Sequence, residues 1–375
     1  MTKWVTKKLG EVCDILDNRR KPMNDEQREI GEYPYCGANG IVDYINIYEF
    51  DEPTILIAED GGNFSDYEKK PIAYKMEGKY FVNNHAHVLK AKNDYIQDFI
   101  FYHIVHQDVN PVITGGTRSK LTRGELENIP IRIPALPDGT PDLAEQRRIA
   151  GILSSADGAI AASEALIEKY RNIKRGLLAT LLQPKEGWKK VKLGECCEIG
   201  DGLHGTPKYD NTGDYFFING NNLKDGVIYV KDATEKVNVE TYNKYKIALT
   251  ENTILMSING TIGNLAYYKK EKIVLGKSVA YFKILKNLYT DFLYYYLQSY
   301  VASCYYELCL TGSTIKNLGL TQLREMEIQL PDLTEQRRIA EILSSVDAKI
   351  AAEEKVVEKY KGVKKGLMEE MMGSF

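Results

Sequence analysis

Three stretches of the 375-residue chain carry residue types that could do chemistry. Asn83-Asn84-His85-Ala86-His87 puts two imidazoles on one face of an extended segment, the start of a metal site, but with no carboxylate or third ligand close in sequence. Gly276-Lys277-Ser278 has the ending of a phosphate-binding loop, yet Glu271 stands where that motif requires its first glycine. Pro331-Asp332 followed by Glu353-Glu354-Lys355 has the residue types of a nuclease metal site. It falls on a helical pattern, however, and the near-identical copy 190 residues earlier reads Ser163-Glu164-Ala165. No Asn-Pro-Pro-Tyr motif of an amino-methyltransferase occurs, and no Gly-rich cofactor loop follows a strand. The six cysteines (13, 36, 196, 197, 304 and 309) form no Cys-x-x-Cys pair and read as reduced thiols of strands and core. The expectation is a chain with no catalytic residues, no metal and no cofactor of its own.

What remains is binding chemistry. Polar loops rich in Asn, Gly, Thr, Lys and Arg recur between apolar runs: Asn18-Arg19-Arg20-Lys21, Gly37-Ala38-Asn39-Gly40, Glu59-Asp60-Gly61-Gly62-Asn63 and Asn83-Asn84-His85 early on. Asp201-Gly202-Leu203-His204-Gly205-Thr206, Asn219-Gly220-Asn221-Asn222 and Ser257-Ile258-Asn259-Gly260-Thr261 follow later. Such loops can present amides and guanidinium groups to base edges. Asn and Gly also dominate ordinary turns, and for any single loop that is the better reading.

The elements that position these loops come in two copies. Pro141-Asp-Leu-Ala-Glu-Gln-Arg-Arg-Ile-Ala is repeated from Pro331 as Pro-Asp-Leu-Thr-Glu-Gln-Arg-Arg-Ile-Ala, and residues 140–178 match 330–368 at 24 of 39 positions. Trp4 with Lys8-Leu9-Gly10-Glu11 recurs as Trp188 with Lys192-Leu193-Gly194-Glu195. Thr114-Gly115-Gly116-Thr117 recurs as Thr311-Gly312-Ser313-Thr314. A duplication of this length predicts two similar halves related by a pseudo-two-fold axis. Each copy opens a helix. Asp142 and Asp332 are N-caps, with Glu145 and Glu335 placed to complete capping boxes. Ile149, Leu153, Ala156, Ile160, Ile167, Tyr170, Ile173 and Leu177 then follow a 4-3 spacing. So do Ile339, Leu343, Val346, Ile350, Val357, Tyr360, Val363 and Leu367. That is the narrow seam of a coiled coil, and the first helix is predicted to run to about Leu182, where Gln183-Pro184 ends it. In an antiparallel pair the polar seam positions Ser163 and Glu353 would meet at the midpoints. The filler, residues 5–134 and 190–330, reads as mixed α/β, mostly strands such as Thr54–Ala58 and Asn252–Ile258.

Composition bounds the partners. Hydrophobic content of 43% and charged content of 27% fit a globular protein. No uninterrupted apolar run reaches the length of a membrane span, and Met1 to Leu9 lacks the apolar core of a secretory signal. Net charge is −3 overall. Residues 1–139 carry 17 Lys/Arg against 22 Asp/Glu, and residues 185–330 carry 18 against 16. Neither half has the basic balance of a stand-alone DNA binder, so a nucleic-acid face must be local or completed by a partner.

The half-repeat resembles the specificity (S) subunit of type I restriction-modification enzymes. The residues that carry the likeness are Trp-x-x-x-x-Leu-Gly-Glu at 4 and 188, the Gly-Ser-Thr loop at 312–314 and the Glu-Gln-Arg-Arg helix starts at 145 and 335, all within the doubled frame. The resemblance covers the whole chain. It implies a mixed α/β fold: two globular target recognition domains joined by two long antiparallel coiled-coil helices with a pseudo-two-fold internal repeat. The corresponding segments are target recognition domain 1 at 1–140, a conserved spacer helix at 141–184, target recognition domain 2 at 185–330 and a second spacer helix at 331–375. It also implies a non-catalytic cytoplasmic subunit. Each domain of such a subunit reads one half of a bipartite, asymmetric duplex target, and the subunit recruits two methyltransferase subunits and, through them, motor-nuclease subunits. The first copy departs from the family loop, with Gly116-Thr117-Arg118 in its place, and inserts Ala135–Thr140 before the cap. Under this reading the DNA-facing residues are Arg19, Arg20, Lys21, Asn39, Asn63, Asn84, Thr117, Arg118 and Lys120 in the first domain. In the second they are His204, Thr206, Lys208, Asn221, Asn222, Lys224, Asn259, Thr261, Lys277, Ser278, Ser313, Thr314 and Lys316. Gln146, Arg147, Gln336 and Arg337 on the helix exteriors are the expected methyltransferase interface. Two rival readings stand beside this one: a specificity subunit serving a fused methyltransferase-nuclease, and a coiled-coil scaffold without DNA contact.

Overall fold

The computed structural model describes residues 3–24, 26, 28–113, 119–312 and 316–372, the last two by backbone alone. It forms two compact units whose boundary falls inside the long helices. One unit is Met1–Glu164 with Glu354–Phe375; the other is Ala165–Glu353.

In the first unit, strand Lys3–Lys8 pairs antiparallel with Pro130–Ala135, the strand that leads toward the first long helix. The central sheet runs Cys13–Ile15, Ala86–Ala91, Thr54–Ala58, Ala73–Met76, all antiparallel. Thr54–Ala58 is buried throughout, which is why its sequence does not alternate. Its two faces still go to different places, as a period of two requires. Ile55 and Ile57 pack with Phe99, Ile100, Ile149 and Leu153, while Leu56 packs with Phe50, Tyr80, Val82 and Val88 toward a second sheet. That sheet is ordered Gly40–Ile45, Ile30–Gly37, Lys79–Val82, Phe50–Asp51.

The second unit repeats the frame. Lys189–Lys192 pairs with Glu327–Leu330, and the central sheet runs Cys197–Asp201, Val279–Ile284, Thr253–Asn259, Thr261–Tyr267. Ile254, Met256 and Ile258 pack with Phe292, Tyr296, Ile339 and Leu343, and Leu255 packs with Ile218, Leu223 and Leu275 on the other side. The outer layers agree in one parallel strand pair, Ile30–Gly37 with Lys79–Val82 and Tyr215–Ile218 with Ile273–Leu275, and otherwise differ. The second unit adds a small hairpin, Leu223–Lys224 with Val227–Ile228. It is closed by Asp225-Gly226, both at positive φ (49° and 81°), the pairing a two-residue turn of matching twist needs.

The long helices are Leu143–Leu181 and Leu333–Met372. Both open as the sequence predicts: the Asp142 carboxylate accepts the Glu145 N–H at 3.0 Å, and Asp332 accepts those of Thr334 and Glu335 at 2.9 Å. The glutamates do a different job from the one expected. Glu145 and Glu335 each grip the guanidinium of the arginine three residues on, Arg148 and Arg338, with both oxygens. Within each unit the helix segments run antiparallel, fixed in the first by Lys361–Glu164 and Lys364–Asp157 and in the second by Lys174–Asp347. The first pairings set Ser163 level with about residue 360 of the same unit.

The apolar stripe also does more than line a seam. Ile149, Leu153, Ile339 and Leu343 are fully buried in the cores of their own α/β domains, each worth about 1.5–3 kcal/mol. Farther along, Ile173, Tyr360 and Val363 are exposed. By length and composition Leu143–Leu181 could cross a membrane, but Ile149 and Leu153 on it belong to this packed core.

Candidate nucleic-acid interface

Each α/β domain is fixed to the helices by contacts at corresponding positions. Gln146 and Gln336, expected on the helix exterior, are completely buried. The Gln146 Oε1 accepts the Ile96 N–H at 2.9 Å and the Gln336 Oε1 accepts that of Tyr289 at 2.7 Å, each at the start of the short helix that follows (Gln97–Ile104 and Thr290–Tyr296). Gln336 also donates to Asn287 and Pro331 carbonyls at 3.0 and 2.8 Å; Gln146 Nε2 finds no acceptor among the described residues. These glutamines are internal clamps and not partner contacts, and their identity in both copies reflects two equal joints. Arg147 and Arg337 are exposed, the latter 5.8 Å from the Tyr289 ring.

A second tie was missed from sequence. The Tyr102 hydroxyl donates to Asp157 at 2.8 Å, and Lys364 from the other helix donates to the same carboxylate at 2.6 Å. In the second unit Tyr295 donates to Asp347 at 2.9 Å and Lys174 holds it at 2.7 Å. Burial, with the neighbouring carboxylate, pushes both phenols up, so they remain donors. The signal was available: Asp157 and Asp347, and Lys174 and Lys364, are identical at the repeat offset of 190.

The structure does bring the predicted loops together within each unit. In the first, Asn39 Nδ2 donates to the Gly61 carbonyl at 2.9 Å, the Asn83 N–H to Cys36, and the Glu59 N–H to His85. Beneath them lies a buried ionic hub. Arg20 is only 14% exposed and pairs with Glu59 at 2.6 Å and Asp17 at 3.2 Å; Lys120 reaches Glu59 at 2.8 Å. His87 meets Asp17 through Nδ1 at 2.6 Å and donates to the Leu121 carbonyl through Nε2 at 2.7 Å. Burial pushes the Asp17 carboxyl up, but His87, the Val88 N–H and Arg20 outweigh it and hold it below the usual carboxylate range. Glu59 behaves likewise, lowered by Lys120, Arg20 and His87 against the cost of burial. Asp17, Glu59 and His87 lie close enough to hold a metal ion, and Asp60 lies 2.6 Å from His85, so folding brings carboxylates to histidines that have none close in sequence. Arg20 and Lys120 already supply the positive charge there, which leaves the trio as an ion-pair hub.

Arg20 is therefore a structural residue. Arg19 is another: it bonds Glu52 at 2.6 Å and the Glu49 carbonyl at 2.7 Å, and stacks 4.3 Å from the Phe50 ring. Asn63 donates to the Pro71 carbonyl at 3.0 Å. Lys21, Asn39, Asn84 and Lys120 keep exposed ends.

In the second unit Leu203 bridges Gly276, and the Lys277 N–H bonds Leu203. The Gly260 N–H bonds the Lys316 carbonyl at 2.9 Å and Asn259 bridges Asn317. Ser278 and Asn222 serve the loops themselves: the Ser278 hydroxyl donates to Asn219 at 3.1 Å, and Asn222 donates to the Tyr229 carbonyl at 3.0 Å. His204, Thr206, Lys208, Asn221, Lys224, Thr261, Lys277 and Lys316 are exposed, and Asn259 is half-buried. Thr117, Arg118, Ser313 and Thr314 lie outside the described residues. Also missed was an aromatic group in the outer layer, Tyr215 stacked on Tyr242 at 4.0 Å. Lys246 stands over the Tyr242 ring and Lys272 over Tyr215, at 5.7 and 6.0 Å.

Two α/β domains of one frame, each presenting different polar loops and each clamped alike to a long helix, define a duplicated recognition protein without a catalytic constellation among the described residues. The family model for the type I restriction modification DNA specificity domain matches residues 1–170 and again 185–359, and the chain belongs to that family. It is 28% identical over 91% of its length to a Haemophilus influenzae protein assigned to the type I restriction enzyme specificity subunits, covering 87% of that protein. It is 26% identical over 97% of its length to the MjaVIII specificity subunit of Methanocaldococcus jannaschii, covering 91% of it. Its fold matches the crystal structure of an S subunit from M. genitalium with a TM-score of 0.67 at 15% identity, over 100% of this chain and 97% of that one. The chain is a type I specificity subunit, a non-catalytic member of its restriction-modification system.

Proposed function

We propose that each α/β domain reads one half of a bipartite, asymmetric duplex sequence and that the helix pair sets the gap between the halves. The observation that carries this is the pairing of corresponding joints with unlike loops. Gln146 and Gln336, and the Tyr102–Asp157–Lys364 and Tyr295–Asp347–Lys174 ties, fix both domains to the helices in the same way. The exposed loop residues share almost nothing. Equal mounting with unequal readout suits an asymmetric target of fixed geometry, as half-site spacing follows protein geometry in other DNA readers. Asn39, Asn84, Asn221 and Asn259 are the candidates for adenine edges; Lys21, Lys120, Lys208, Lys224, Lys277 and Lys316 are candidates for phosphate or guanine. Two methyltransferase subunits dock on the exposed helix faces around Arg147 and Arg337, and motor-nuclease subunits join through them. The subunit needs no cofactor and works in the cytoplasm, where the duplex is.

Co-expression with the cognate methyltransferase, followed by sequencing for modified adenines, tests this. Two dissimilar half-sequences separated by a constant gap are expected. Adenine modification that does not depend on this chain would overturn the reading.

A further inference from the structure

The second unit contains a groove of about 630 Å³ between the first long helix and its α/β domain. Glu168, Arg171, Lys174, Arg175 and Leu178 line it from the helix, and Ile262, Gly263, Gln298, Ser303 and Tyr306 are among the residues facing them. Three of its side chains are cations, spaced i, i+3 and i+4 so that they share one helix face. They are not equally spent. Lys174 is 18% exposed and held by Asp347, and Arg171 is paired with Glu168 at 2.7 Å but half-exposed. Arg175 is exposed, bonds Asn172, and has no carboxylate within ion-pair distance among the described residues. The opposite wall offers little to neutralise them, because the Tyr306 hydroxyl donates to the Leu297 carbonyl and the Ser303 hydroxyl to Ser299.

Two further features point the same way. The wall of the groove is the hairpin whose tip is Asn259-Gly260-Thr261. Gly263 lies two residues past Thr261 at φ +91°, a backbone that keeps a side chain out of the groove, and its nearest neighbour across the gap is the Tyr306 ring. Two strand residues span about 7 Å, roughly one nucleotide step along a backbone, so whatever fills the groove lies beside what the tip touches. The basic trio also recurs in the first unit, at Lys361, Lys364 and Lys365 with Glu358 before them, each at the offset of 190. Lys364 is as enclosed as Lys174, at 18% exposure.

We propose that this groove is a phosphate site: Arg171 and Arg175 hold a phosphodiester of the duplex next to the half-site read by the second domain, with Lys174 as a fixed charge behind them. The contact is blind to sequence and sets the register of the Asn259–Thr261 hairpin on the bases. This rests on the DNA-reading function proposed above and adds a site to it.

The test uses the complete complex with methyltransferase subunits, the double variants Arg171→Ala/Arg175→Ala and Arg171→Lys/Arg175→Lys, and duplexes carrying the mapped target or an unrelated sequence. The alanine variant should bind both duplexes about three- to tenfold more weakly, leave their ratio unchanged, and flatten the dependence of log K on log salt by about 1–2. The lysine variant should restore most of the affinity. Unchanged affinity and salt slope in an intact alanine complex would overturn the phosphate site while leaving the DNA-reading function standing. So would an altered target-to-random ratio, which would mark the arginines as base readers. A wild-type complex that does not discriminate between the duplexes would instead defeat the DNA-reading function itself.

Discussion

The two α/β domains answer one problem with different chemistry. Beneath its loops the first domain builds a largely buried ionic hub from Asp17, Arg20, Glu59 and His87, with the half-exposed Lys120 at its edge. At the matching positions of the second, 184 residues on, Asp201 and His204 form a single contact at 2.6 Å with the imidazole 72% exposed. Glu59 and Ile258 play the same backbone part, each bonded to a leucine, Leu121 or Leu318, that follows the Gly/Thr loop. The first domain thus spends its loop cations on itself and carries net −5, whereas the second leaves cations outward and carries net +2. A shared frame carrying different loop chemistry shows that these loop charges can differ without disturbing the fold. The sheet, the clamps and the strand that leads into the helix are held; the charges at the tips are not.

Acid is the strongest way to separate the domains. His103 in the first is buried and accepts the Arg132 N–H at 2.9 Å, and burial lowers its pKa to about 4 from 6.5. The equivalent residue in the second domain is Tyr296, which carries no charge in this range. Between pH 6.5 and about 4 the unfolded chain binds a proton that the folded first domain refuses, so its stability falls as pH falls, by about 3 kcal/mol at the lower end. Hydrogen exchange followed from pH 7 to pH 5 should show strands Thr54–Ala58 and Pro130–Ala135 losing protection before Thr253–Asn259 and Glu327–Leu330. Equal loss in both domains would show that His103 does not govern the difference.

Charge deletion gives a somewhat smaller contrast. Glu59→Ala strands Arg20 and Lys120 without their shared carboxylate and should cost about 2–3 kcal/mol in urea unfolding. His204→Ala, at the open counterpart, should stay within about 0.5 kcal/mol. Comparable losses would mean the hub is no more structural than a surface pair.

The finest contrast lies in the clamps. Gln336→Ala deletes three buried hydrogen bonds and should cost about 2 kcal/mol; Gln146→Ala deletes one and relieves an unpartnered Nε2, and should cost about 1 kcal/mol or less. Thermal melts of the two variants rank them, and the reverse order would imply that the Gln146 amide is satisfied in solution.

Much of this molecule was legible in its sequence because the information was local. The repeat gave two halves, Asp142 and Asp332 gave helix starts that a side-chain oxygen must cap, and Gln183-Pro184 gave an end one residue past the observed Leu181. What spacing could not tell was the identity of the surface each stripe meets. Ile149 and Leu153 follow a coiled-coil period, yet pack into a sheet. Gln146 sits on a polar register, yet is sealed against the Ile96 amide. Arg20 looks like a DNA contact in a loop, yet closes a buried hub with residues 39 and 67 positions away. Periodicity fixes which residues share a face, because the backbone geometry of one element sets it. Whether that face meets a helix, a sheet, a carboxylate or water depends on chain segments far apart in sequence, and only the folded arrangement brings those together.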